Sequence, residues 1–164
     1  MPAGPPPTMQ HSVSVFAGDR GVSISATLTL MNVVFLVLGI VFASLAAVIH
    51  VVIFFFESVL WKRPAIWGRF GVKDDDDATT LQPMAFNQGF YNLFLAAGTI
   101  VGLVLIGVPN FGGAGTALVI FALLSMVAAS VVLISSNPKL ARAAVTQGAA
   151  PLLGVVFLVL SLVG

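Results

Sequence analysis

From Gly21 to Phe56 the chain carries no Lys, Arg, Asp or Glu. That stretch restricts the available folds more than any motif does. Crossing the hydrocarbon core of a bilayer takes about 20 apolar residues in a helix. A charge-free run longer than this reads as one membrane span with helical turns to spare. Inside lipid the segment must satisfy its own backbone N–H and C=O groups, so the span is a helix.

The pattern recurs along the chain. The sequence is 59% hydrophobic and only 8% charged, where a soluble domain is about a quarter charged. The first span is expected at about residues 35–60, and others at about 84–108, 115–134 and 140–162. The fold class is therefore all-α, a four-transmembrane-helix antiparallel bundle over residues 21–164, with the bilayer as its main partner. "GVPNFGGAG" (107–115) and "SSNPKLAR" (135–142) are short joints, which favour antiparallel neighbours. In the second, Ser136 or Asn137 is a candidate N-cap ahead of Pro138 at the first helical position.

Before the spans, "MPAGPPPTMQHS" places four Pro among its first seven residues, and an extended Pro-rich tail is expected over residues 1–20. The uncharged start and the length of the apolar run argue against a cleaved signal peptide. Between the first two spans lies the longest loop, residues 61–82, which holds the acidic run Asp74–Asp77.

Orientation follows from Lys and Arg. Lys62, Arg63, Arg69 and Lys73 fall in the first loop, and Lys139 and Arg142 in the third; of the seven basic residues only Arg20 lies elsewhere. Basic residues mark the cytoplasmic side. Both termini are then expected outside, and the expected location is a bacterial inner membrane.

Several classes find no support. A formal net charge of +1 offers nothing to nucleic acid, and the absence of Cys excludes thiolate chemistry and Cys-based metal sites. Two His without HExxH spacing do not make a catalytic zinc site, so no metal is expected. There is no GxSxG, Walker loop or dinucleotide fingerprint, hence no cofactor is assigned.

The chemistry that remains is polar and lies within the spans. Gly39, Ala43, Ala47, His50, Phe54, Glu57 and Trp61 follow at helical spacing and form one stripe, small at its outer half and polar at its inner half. With Trp61 at the interface, Glu57 lies about 6 Å deep and His50 about 16 Å. They share a face but stand about 10 Å apart along it, too far for a hydrogen bond. On the second span, "AFNQGFYN" (85–92) supplies Asn87, Gln88, Tyr91 and Asn92 as one polar patch. The fourth span adds Thr146 and Gln147, followed by the helix-bending Pro151. His50, Glu57, Asn87, Gln88, Tyr91, Asn92 and Gln147 are the candidate ligand-binding residues, since ionisable groups within a membrane are functional candidates by default. Against this stands a structural reading in which Asn and Gln act as interhelical glue at about 0.6 kcal/mol per bond.

The segments "HVVIFFFESVLW", "NQGFYNLFLAAG" and "VTQGAAP" resemble domain-of-unknown-function family 1304, small four-helix membrane proteins. The resemblance implies the fold and groups these positions together; it implies no reaction. The architecture is also similar to that of the membrane-bound eicosanoid and glutathione enzymes, although the second span lacks their Arg and acidic residue. The leading expectation is a binding or permeation site for a small polar or amphiphilic ligand, proton-coupled through Glu57 and His50. A structural subunit that joins a second copy or a membrane-complex partner through the Gly39 and Gly98 surfaces is the alternative, and an enzyme acting on a lipophilic substrate the third.

Overall fold

The computed structural model describes the backbone of residues 7–163 and the side chains of residues 24–163. Every regular element among them is helical: α1 (Pro7–Phe54), α2 (Pro64–Trp67), α3 (Asp75–Ile106), α4 (Gly112–Ser136) and α5 (Ala141–Val163). A π-turn, Phe55–Val59, closes α1, and 3₁₀ turns at Gly68–Phe70 and Pro138–Leu140 complete the connections. Four stretches are long and apolar enough to cross a membrane: Ile24–Val59, Asp75–Ile106, Gly112–Ser136 and Pro138–Val163. The expected four-helix membrane architecture is present.

Two boundaries differ from expectation. Of the tail read over residues 1–20, residues 1–6 lie outside those described, and the backbone is helical from Pro7. Pro7 opens the described helix, where a missing N–H removes no helical bond. The second correction concerns the loop. It is shorter than residues 61–82, because α3 starts at Asp75. The acidic run is the start of this helix: the Asp74 carboxylate accepts from the Asp77 amide at 2.9 Å, and Asp75, Asp76 and Asp77 occupy the first turn. There they satisfy orphan donors and complement the positive end of the helix dipole. Pro83 lies within α3 and does not end it.

Each of the four long helices packs on the next along the chain, and α5 closes the ring on α1. The pairs are antiparallel. Gly39 meets Leu158 while Gly154 approaches Ala43, and Gly102 lies on Gly115 and Val119. Gly148 lies on Ser130 and Gly154 on Leu123. Without a hydrophobic drive between helices in lipid, close backbone approach is what packing gains from. Small residues therefore face inward: Ala43, Ala46, Ala47, Ala96 and Ala122 are buried, whereas Phe94 and Phe121 are exposed. A compact core of Ala43, Ala46, Val119, Leu123, Met126, Ala150 and Leu158 fills the bundle. Polar groups gather toward the end that carries the loop and the Pro138 turn.

Candidate functional site

The stripe on α1 is realised. Gly39, Ala43, Ala47, His50, Glu57 and Trp61 are buried and Phe54 is half-buried. Its last turn is not α-helical, since the Leu60 amide donates to the Phe55 carbonyl at 2.8 Å. This five-residue turn contains Glu57 and sets it against α3.

Gly89 makes that approach feasible. A side chain there would collide with Ser58 Oγ, and its Cβ would stand 3.1 Å from Glu57 Cβ and 3.2 Å from the Phe54 carbonyl. With only a hydrogen in that space, Asn92 Nδ2 donates to Glu57 Oε2 at 3.0 Å. The same nitrogen donates to the Gln88 carbonyl at 3.0 Å. Counted from Trp61 and from Pro83 the two residues are at different depths, about 6 Å for Glu57 and about 13 Å for Asn92. They meet because side chains tilt toward the N-terminus of their helix. In antiparallel α1 and α3 that tilt carries Glu57 deeper and Asn92 back toward the basic end. Two further bonds join this corner: Ser58 Oγ donates to the Phe86 carbonyl at 2.9 Å, and the Trp61 indole N–H donates to the Ala78 carbonyl at 2.9 Å.

His50 is separate from this network. Only 1% exposed, it bonds within its own helix, Nδ1 to the Ala46 carbonyl at 2.9 Å. A carbonyl only accepts, so Nδ1 is the donor in this bond. The position between His50 and Glu57 on the stripe is Phe54, whose ring meets Phe90 edge-on at 5.2 Å. No hydrogen bond joins His50 to Glu57 among the described residues.

The other candidates disperse. Asn87, Gln88 and Tyr91 are exposed on the outer side of α3, and Gln88 contributes only its carbonyl to the Asn92 contact. Gln147 is half-buried elsewhere, in a cavity of about 900 Å³ between α1, α5 and the loop. That groove has an apolar wall, including Val48, Ile49, Val52 and Phe56, and a polar mouth made by Arg69, Lys139 and Arg142 beside Gln147. The Arg69 guanidinium lies over the Phe56 ring, 5.3 Å from its centre. Its Nε donates to the Ala65 carbonyl at 3.3 Å.

Sequence reasoning treated the three cations only as topology markers and missed that they share one cavity. Their one shared signal is that each sits within a few residues of a helix end at the same membrane face. Ser58 and Gly89 were also missed. The "NQG" triplet, with its Gly beside polar groups, was the available sign of close backbone approach.

A protein-family model described as "Protein of unknown function (DUF1304)" matches residues 44–159. That is more than half of the sequence. The chain belongs to this family. The DUF1304 match takes in every candidate named above, from His50 to Gln147, together with the three cations of the groove. No curated protein matches the chain, and no solved structure does.

Proposed function

We propose that this DUF1304 protein binds a small amphiphile, received from the bilayer into the groove between α1 and α5. The observation that carries the reading is the form of the groove: about 900 Å³, apolar along α1 and polar at the mouth where Gln147 lies. Ligand sites combine an apolar lining with a few placed polar groups, and this one has room for a small amphiphile. The expected ligand thus remains amphiphilic, but its site moves away from His50 and Glu57. Neither residue lines the groove, and no hydrogen bond joins them among the described residues, so proton coupling through the pair is not part of the reading. Glu57 and Asn92 instead lock α1 to α3.

The distribution of Lys and Arg supports a groove that opens on the cytoplasmic side, in what this reading takes to be a bacterial inner membrane. An alkyl probe with a photoactivatable diazirine tests the reading on the purified protein in lipid nanodiscs. Adducts are expected on the peptides around residues 48–56 and 139–147, and Ala143→Trp, which fills the lining, removes them. Labelling spread evenly around the bundle would count against a site.

A second reading, an assembly subunit, keeps one supporting observation. A Cβ at Gly98 meets nothing, and Asn87, Gln88 and Tyr91 also face outward on α3. The Gly39 surface is not open to a partner, because it holds Leu158 of the same chain. A stoichiometric partner that co-purifies and is lost on Gly98→Leu supports this reading.

A further inference from the structure

We propose that the groove selects a phospholipid with an anionic headgroup, held by Arg69, Lys139 and Arg142 while its tail lies along α1. This rests on the groove being an amphiphile site and names what that site distinguishes. An apolar wall cannot select within a bilayer, since every lipid tail is as apolar as the wall. Discrimination has to come from the mouth.

The mouth has one sign of charge. Arg69, Lys139 and Arg142 line the cavity and no acidic residue does. None of the three forms an ion pair with a described residue. The four Asp nearby in sequence are arranged around the start of α3 instead. Cations gathered at one mouth act together on an anion placed among them.

Local structure fixes their positions. Arg69 is anchored by the Phe56 ring and the Ala65 carbonyl, which leaves its terminal nitrogens free for a phosphate fork. Lys139 sits in a turn capped by Asn137, whose Oδ1 accepts from the Lys139 amide at 3.2 Å. Arg142 follows in the first turn of α5, and Gln147 adds a donor and an acceptor a little deeper. From Phe56 to Val48 the wall runs about 12 Å into the membrane. Headgroup at the basic mouth and tail on the wall is the order in which a lipid of that leaflet already lies, so it can enter sideways without inverting.

The test is native mass spectrometry of the full chain released from nanodiscs holding equal phosphatidylglycerol and phosphatidylcholine. Preferential retention of phosphatidylglycerol is expected. Each of Arg69→Gln, Lys139→Gln and Arg142→Gln lowers that preference about fivefold, and the triple variant abolishes it. All three side chains are exposed, so the fold tolerates these changes. Lys62→Gln with Arg63→Gln removes two basic residues of the same membrane face that lie outside the groove and leaves the preference intact. Equal loss in that control would reduce the effect to general surface charge and overturn the proposal. So would displacement of the lipid by millimolar inorganic phosphate, which would show a site for the free anion. Equal retention of both lipids overturns headgroup selection while amphiphile binding stands. Retention of neither lipid removes both.

Discussion

Asn92 donates from its amide nitrogen both to the Glu57 carboxylate and to its own helix at Gln88, each at 3.0 Å. One side chain thereby fixes the register of α1 against α3. Asn92→Ala leaves Glu57 without its donor and should cost about 0.6–2 kcal/mol, the range of interhelical bonds in membranes. Glu57→Gln still presents an oxygen to Asn92 and should cost less than about 0.6 kcal/mol. A double-mutant cycle on Asn92→Ala and Glu57→Ala, read by steric-trap unfolding in bicelles, gives the coupling directly. Coupling near zero would show that the contact does not hold the helices.

Three glycines separate close packing from mere composition. At Gly115 a Cβ would stand 2.6 Å from the Gly102 carbonyl oxygen and 2.6 Å from the Ile106 nitrogen, backbone atoms that cannot turn aside. Gly115→Ala should destabilise by about 1–3 kcal/mol. Gly89→Ala presses on Ser58 and the Phe54 carbonyl and should fall in the same range while breaking the Ser58–Phe86 bond. Gly98→Ala meets open space and should be neutral or slightly stabilising. Thermal melts of the three variants in one detergent rank them, and a Gly98 variant as damaged as Gly115 would contradict the packing described.

Asp74 caps α3 through the Asp77 amide. Asp74→Ala should cost about 0.5–2 kcal/mol. Hydrogen exchange localises the effect: faster exchange at the Asp77 amide and the first turn, with Asn92 and beyond unchanged. Asp74→Asn retains the acceptor and should restore protection.

How far the sequence reaches depends on which physical signal each feature leaves. The α1 stripe was legible because helical period and small-residue packing act on the same positions, and all but Phe54 are fully buried. On α3 two polar rows compete, Asn87 with Tyr91 and Gln88 with Asn92. Spacing alone does not tell which side chain turns inward, and only Asn92 does so. The π-turn at Phe55–Val59 leaves no periodic mark, because five residues are too few to shift a pattern. The second span was expected from about residue 84, whereas an N-cap at Asp74 followed by acidic residues in the first turn was the signal for an earlier start. The groove was out of reach because Arg69 and Arg142 meet only in three dimensions.

The basic residues also predict topology. Lys62, Arg63, Arg69, Lys73, Lys139 and Arg142 lie at connections on one face of the bundle, and Val163 ends α5 at the opposite face. A phosphatase reporter fused after Gly164 should be active outside the cytoplasm, and a fluorescent protein placed there dark when exported by the general secretory route. A reporter that reads cytoplasmic would invert the bundle and place the groove in the other leaflet.

His50 yields a prediction of near-neutrality. Its Nδ1–H bond goes to the Ala46 carbonyl, which also accepts the ordinary helical bond from the His50 backbone amide. Removing the imidazole therefore orphans no buried group, and His50→Leu replaces one medium-sized ring by an apolar side chain in a buried position. The expected cost is below about 1.5 kcal/mol, the worth of one ordinary hydrogen bond. Solid-state ¹⁵N spectra of the labelled protein should show a proton on Nδ1. An Nδ1 without its proton, or a His50→Leu variant that fails to fold where Asn92→Ala still folds, would mean the ring is held by a contact other than Ala46.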